Sequence, residues 1–197
     1  MMLSDIQIMQ RLVKDRHDPD GIFISPLIHP VAQLGSSSLD LHLGTEFRLP
    51  EVVDLPCIDL TGSDSDNIQT LIDEHFPVKR ISPDKYIILH PGEFMLGHTL
   101  EYIKLPCNIA ARLEGRSFVG RLGILVHATA GFVDPGFEGN LTLELVNAGK
   151  MPVKITPGFR LAQICFFDVA DVQVPYNLKH KKKYHKSRGT VPSKFVT

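Results

Sequence analysis

The chain has 197 residues, 43% hydrophobic and 22% charged, which is the balance of a soluble globular domain with room for one sizeable core. No apolar stretch approaches the ~18 residues that span a bilayer and no basic start precedes an apolar run, so neither an anchor nor a secretory leader is expected and the cytoplasm is the expected compartment. The net charge of −1 is uneven: from Lys179 onward there are six lysines, one arginine and no acid, which leaves −8 on residues 1–178. Cys57, Cys107 and Cys165 are odd in number and far apart, with no C-x-x-C pair. They are expected as reduced core thiols, not as a disulfide framework or a zinc knuckle.

The start reads as a short helix: Ser4 caps it, Gln7 completes a capping box, and Ile8, Met9, Leu12 and Val13 share a face. Strands follow. Residues 38–43 alternate with period two and stop at Gly44. Residues 61–67 read as a polar loop, and Asn67 to Phe76 as a second short helix. Tyr86 to Leu89 leads through the turn His90-Pro91-Gly92-Glu93 into Phe94-Met95-Leu96. Leu122 to Val126, Leu141 to Val146, Val153 to Thr156 and Leu161 to Val169 are further strands, punctuated by Pro135-Gly136 and Pro157-Gly158. Many short strands with such turns predict an antiparallel sandwich or barrel-like β fold in one domain, with no internal repeat.

Chemistry concentrates between Arg112 and Asn147. Leu141, Leu143 and Leu145 take one face of a strand, and Thr142 and Glu144 the other. Glu144 is therefore either on a solvated sheet face or held in a site. Gly115-Arg116-Ser117 and Gly120-Arg121 set two guanidinium groups near a hydroxyl, with glycines that let backbone approach closely. Guanidinium suits phosphate, and the turn Asp134-Pro135-Gly136 offers a carboxylate for a sugar hydroxyl. Together they fit a nucleotide, although singly each arginine reads equally as a surface charge and Asp134 as a turn residue.

Gly115-Arg116-Ser117, Gly120-Arg121-Leu122-Gly123, the run from His127 through Thr129-Ala130-Gly131-Phe132-Val133-Asp134-Pro135-Gly136-Phe137 to Gly139, and Leu141-Thr142-Leu143-Glu144 resemble the signature of dCTP deaminases, members of the trimeric dUTPase-like superfamily. The resemblance extends to Met2-Leu3-Ser4-Asp5, to Ser38-Leu39-Asp40-Leu41 with Leu43-Gly44, and to Lys183-Tyr184 with Gly189. It implies a mainly β, distorted jelly-roll or β-barrel fold with short helices. It also implies a homotrimer with sites between subunits, made of a β domain over residues 1–178 and a basic tail, 179–197, that closes over the nucleotide. Glu144 would shuttle the proton that activates water against C4 of cytosine, with Ser117 holding that water and Ala130 and Arg121 orienting water and base. A carboxyl group in a closed, partly dry site has its pKa raised, which suits a group that must take and then give a proton. Arg116 would meet the triphosphate, Asp134 the sugar 3′-hydroxyl and Thr142 the base edge, while Tyr176 and Lys183 close from the tail.

The implied binding set also takes in Phe118, Val119, Gly120 and Leu143. Phe118 stands where the family usually carries a second serine, so a hydroxyl contact is lost and a backbone N–H contact to phosphate remains. Ser187 stands where a glutamine is common. Magnesium would ride on the triphosphate. Zinc is not expected, because zinc deaminases need H-x-E and P-C-x-x-C, whereas Ala128-Thr129 follows His127, which reads as a wall residue. The expected partners are dCTP and dUTP, with dTTP as a candidate inhibitor and neither nucleic acid nor membrane among them.

Gly131-Phe132 resembles the branch of the family that also cleaves the triphosphate. There the glycine would leave room for a second water, with Asp134 and Gln163, in the dUTPase-like Arg160-Leu161-Ala162-Gln163, helping to place it. Three rivals are a plain dUTPase, which carries an apolar residue where Glu144 stands; a nucleic-acid binder using Lys179 to Arg188; and a regulator without activity, against which the intact Ser117, Arg121 and Glu144 argue.

Overall fold

A computed structural model describes residues 1–13, 15–51, 57–58, 65–170, 172–180 and 182–194. The chain opens with α1 (Asp5–Arg11), where the Gln7 amide donates to Ser4 Oγ and the Ser4 amide to Gln7 Oε1, closing the capping box. The helix ends before the expected Leu12 and Val13, which extend into β1 (Leu12–Val13) and pair in parallel with β2 (Ile22–Ser25). β-branched Val13 favours that extended backbone. It also packs against bare backbone at Gly21, where a Cβ would lie 2.2 Å from Val13 Cγ1. After α2 (Pro30–Gln33) come β3 (Leu39–His42) and β4 (Glu46–Arg48), then α3 (Ser65–His75), which begins two residues earlier than Asn67. Of the expected polar loop, residues 61–64 lie outside the described residues.

The second half is strand after strand: β5 (Val78–Arg80), β6 (Ile87–Leu89), β7 (Phe94–Lys104) and β8 (Ile109–Gly115), then the short helix α4 (Ser117–Gly120). It continues with β9 (Ile124–Leu125), β10 (Phe132–Val133), β11 (Glu138–Asn147), β12 (Val153–Ile155), β13 (Arg160–Asp168) and a 3₁₀ turn at Tyr176–Leu178. One sheet runs β1-β2-β7-β11-β9, with β4 on β7 and β5 on β4; the other runs β10-β8-β13-β3; β12 and β6 form a ribbon. A single hydrophobic cluster takes Leu39, Leu41, Leu113, Ile164 and Phe166 from the second sheet and Met95, Ile103, Leu141, Leu143 and Leu145 from the first. The expected sandwich is met. The expected barrel is not, because among the described residues neither strand order closes on itself. No helix of the described residues is long and apolar enough to cross a membrane.

β7 and β11 change register between Asn140↔Tyr102 and Thr142↔His98, so three residues of β7 bulge opposite Leu141. Side chains bond across the bulge. Thr99 Oγ1 accepts from the Leu141 amide and donates to Glu101 O, while Asn140 Nδ2 donates to the carbonyls of Thr99 (2.9 Å) and Glu101 (3.0 Å). The shift is even, so the leucines of β11 stay inward. It also turns Glu101, with no exposed surface, into the core. There Glu101 meets His42 Nδ1 at 2.6 Å, the His42 amide at 2.9 Å and Gln33 Nε2 at 3.2 Å, tying the first sheet to β3 of the second. Burial pushes the Glu101 carboxyl above its ordinary value, against the bonds from His42 that pull it down. Glu101→Ala strands His42 in the core and is expected to cost about 3–5 kcal/mol, read as a lowered urea midpoint; a loss under about 1 kcal/mol contradicts the role given to this pair.

Candidate active site

The alternation along β11 buries Leu141, Leu143 and Leu145 and leaves Thr142 and Glu144 half-buried on the other face. Glu144 Oε2 accepts from the backbone amides of Ala128 (2.7 Å) and Thr129 (3.4 Å); Oε1 has no hydrogen-bond partner among the described residues. The loop of residues 127–131 thus holds the carboxylate by one oxygen. The carboxylate lines a cavity of about 600 Å³ together with Thr142, Ala130, Phe132, Asp134 and Phe137, a size suited to a nucleotide-scale ligand. One wall is apolar, from Ile58, Ile72, Phe76, Phe94 and Leu96; another is the C-terminal segment, with Tyr176, Tyr184, Ser187 and Val191.

Several polar groups at or beside this cavity are already engaged. Lys179 Nζ meets Asp134 Oδ2 at 2.6 Å, and Tyr176 Oη accepts from the Tyr184 amide at 3.0 Å, its ring 5.8 Å from that of Phe137. Thr142 Oγ1 accepts from the Val191 amide at 3.4 Å. Lys183 lies in the turn at 183–186 and does not line the cavity.

A second set of expected residues lies apart from this cavity. Arg116 caps α4 and Ser117 opens it; Arg121 closes it, exposed. Arg116 Nε faces Asp40 Oδ1 at 3.3 Å, and Arg160 Nη1 faces Asp40 Oδ2 at 3.4 Å, so one carboxylate serves two guanidinium groups. Gln163 belongs here too, accepting from Ser38 Oγ (3.2 Å) and donating to Gly115 O (3.3 Å). None of these residues lines the cavity of Glu144.

At two of the expected contacts the side chains face the core. Val119 and Leu143 are core residues, 3% and 1% exposed. The amides of Val119 and Gly120 already donate to Arg116 O at 3.0 Å, so only Ser117 and Phe118 keep amides that α4 does not use. The cysteines also depart from expectation: Cys57 and Cys107 are exposed and Cys165 half-buried, all three free. Gly131 has a packing reason of its own. A Cβ there would fall 2.8 Å from Leu113 O and 3.2 Å from His127 Cε1, so the room expected beside it is occupied on that side. His127, expected as a wall residue, has Nε2 3.7 Å from Glu114 Oε2, and its Nδ1 has no hydrogen-bond partner among the described residues. Among the described residues no three His, Cys, Asp or Glu side chains gather as metal ligands.

Residues 7–169 match the family model described as dCTP deaminase-like. The chain belongs to this family. It is 43% identical over 195 residues to a protein of Dictyoglomus turgidum named "dCTP deaminase, dUMP-forming", covering 98% of this chain and 94% of that one. A Bifidobacterium longum protein of the same name is 47% identical over 196 residues, with the same coverage. The fold is shared with the crystal structure of a 2′-deoxycytidine 5′-triphosphate deaminase from Agrobacterium tumefaciens, at TM-score 0.60 and 22% identity; the match covers 84% of this chain and spans 46% of that longer one.

The sequence reading missed the amides of Ala128 and Thr129, which carry no side-chain signal, and the pairing of Asp40 with Arg116 and Arg160, which needs the register of β3 on β13. It also missed Lys179 as the partner of Asp134; the acid was visible, the fold of the tail was not. Gly131→Ala is expected to push β10 off β8, because Leu113 N donates to Gly131 O at 2.7 Å on the same edge. The cost is about 1–3 kcal/mol of overpacking, measured by chemical denaturation; an unchanged midpoint contradicts the close contact.

Proposed function

We propose that the chain deaminates dCTP to dUTP and ammonia and then hydrolyses dUTP to dUMP and pyrophosphate, in a site completed by a second copy within a homotrimer. The observation that carries the reading is Glu144, a half-buried carboxylate on a core strand, fixed at Oε2 by two amides and lining a nucleotide-sized cavity. Oε1 takes a proton from water as its oxygen adds to C4 of the cytosine. The carboxyl passes that proton to N3, then takes the proton of the new C4 hydroxyl and hands it to the 4-amino group, and ammonia leaves as the C4 carbonyl forms. One positioned acid–base group of this kind supplies about 10²–10⁴-fold.

The separation of Glu144 from Ser117, Arg116 and Arg121 supports sharing between copies. Phe118, Leu122 and Phe159, around α4, are 44–45% exposed, an apolar surface that a neighbouring copy would cover. Once that copy docks, Ser117 and Arg121 hold water and base, and Arg116, oriented by Asp40, receives phosphate. Asp134 takes the sugar 3′-hydroxyl and the tail closes over the nucleotide. Magnesium, carried on the triphosphate, neutralises charge there, as expected of a cation bound mainly through substrate phosphates. The second step is supported by the "dUMP-forming" names of relatives 43% and 47% identical. dTTP, sharing sugar and triphosphate, competes for the same contacts.

Glu144→Gln is expected to fold normally and lose ammonia release from dCTP by at least about 10²-fold; near-normal release contradicts the assignment. With unaltered protein and magnesium, dUMP and pyrophosphate are expected to appear without free dUTP building up. Accumulation of dUTP with ammonia and no pyrophosphate restricts the activity to the first step.

A further inference from the structure

Where the C-terminal segment crosses β11, side chains from four separate stretches meet. Tyr102 of β7 is 4% exposed. The Arg188 guanidinium lies on its ring, Cζ 4.1 Å from the centroid, and Arg16 lies at 4.9 Å. Tyr102 Oη donates to Glu138 Oε1 at 3.0 Å and accepts from Arg16 Nη2 at 2.9 Å, and Arg16 Nε reaches the same carboxylate oxygen at 2.6 Å. Burial pushes the Glu138 carboxyl up, but the bonds from Arg16 and Tyr102 outweigh it and hold the group below its ordinary value. Burial of Tyr102 holds its ring in place, with a face presented to a cation. Among the described residues the Arg188 side chain makes no hydrogen bond or ion pair; the ring is its partner.

The same crossing sets the register of the segment. Ser187 bridges Gly139, the Asn140 amide donates to Ser187 O at 3.0 Å, and the Gly189 amide donates to Asn140 Oδ1 at 3.3 Å. Gly139 has φ 152°, and a Cβ there would sit 2.9 Å from Ser187 Oγ, so the segment lies on bare backbone. Backbone bonds alone do not distinguish this register from one shifted by a residue; buried Thr190, whose Oγ1 donates to Glu46 O at 2.6 Å, fixes it on one side of Gly189, and the Arg188 stack on the other. A shift of one puts Ser187 or Gly189 over the ring, and neither is a cation. Three residues of the same segment, Tyr184, Ser187 and Val191, line the cavity of Glu144.

We propose that Tyr102 and Arg188 are positioning residues: the guanidinium stacked on the ring locks residues 186–191 in register on β11 and so places Tyr184, Ser187 and Val191 against the bound nucleotide. Only the kinetic arm of the test rests on the deaminase reading. Amide hydrogen exchange over residues 186–191, without nucleotide, and steady-state dCTP kinetics are measured on the full chain, on Arg188→Ala and on Tyr102→Phe. Arg188 is exposed, so its replacement is not expected to unfold the chain. Arg188→Ala is expected to speed exchange and raise KM about five-fold each, with kcat within about two-fold, the scale of one partly exposed cation–π contact. Tyr102→Phe keeps the ring and is expected to match the unaltered chain in both. Unchanged exchange in Arg188→Ala overturns the lock, and unchanged KM overturns the positioning role whatever the exchange shows. Equal damage from Tyr102→Phe assigns the effect to the hydroxyl–Glu138 bond and overturns the stacking account. If the unaltered chain releases no ammonia from dCTP, the deaminase reading fails while the exchange arm still decides the lock.

Discussion

Pairing of β7 with β11 governs both the interior and the cavity, because the strands change register by two residues without changing faces. An odd shift would carry Leu141, Leu143 and Leu145 to the outside, at about 1.5–3 kcal/mol each, and turn Glu144 into the core. The even shift keeps the leucines inward and Glu144 at the cavity. It creates the bulge that Asn140 closes, points Glu101 at His42, and leaves Gly139 and Asn140 presenting backbone to the C-terminal segment. Core, acid and tail dock thus follow from one ladder.

Electrostatics divides the site. Around Asp40, two guanidinium groups share one carboxylate, which leaves local positive charge for an anion. Near the cavity of Glu144 two cations of the tail are engaged within the chain: Lys179 on Asp134, and Arg188 on Tyr102. Of the excess of base beyond residue 178, Lys179 forms an ion pair with the body, at Asp134 beside the cavity. A phosphate group entering here competes for Lys179, while the stacked Arg188 gives up no ion pair.

Much of this was legible from local pattern. The capping box of Ser4 and Gln7 formed, and the alternation around Glu144 set leucines inward and the acid toward the cavity. What failed had a long-range cause. β8 was not anticipated: its outward Arg112 and Glu114 stand beside the glycine motif, and its inward Leu113 gives a short signal that becomes a strand only through pairing with β10 and β13. Glu101 carries no sequence mark of burial, because its partner His42 is 59 residues away and on another sheet. Val119, next to the exposed Phe118, belongs to the core because α4 is a helix and not a loop. Beside Gly131 the Leu113 carbonyl closes the direction a Cβ would take, a long-range contact that the sequence does not mark.

The central claim is that Glu144 and Ser117 of one chain belong to two different sites. Subunit complementation tests it most directly. Glu144→Gln and Ser117→Ala chains, each inactive alone, are co-expressed with different tags, and ammonia release from dCTP is measured on doubly purified protein. If sites form between copies, every doubly purified trimer holds both variants and one of its three sites joins an intact Glu144 to an intact Ser117, so activity returns to about a third of that of the unaltered enzyme. Activity that stays at the level of the separate variants contradicts the account and puts the whole site within one chain.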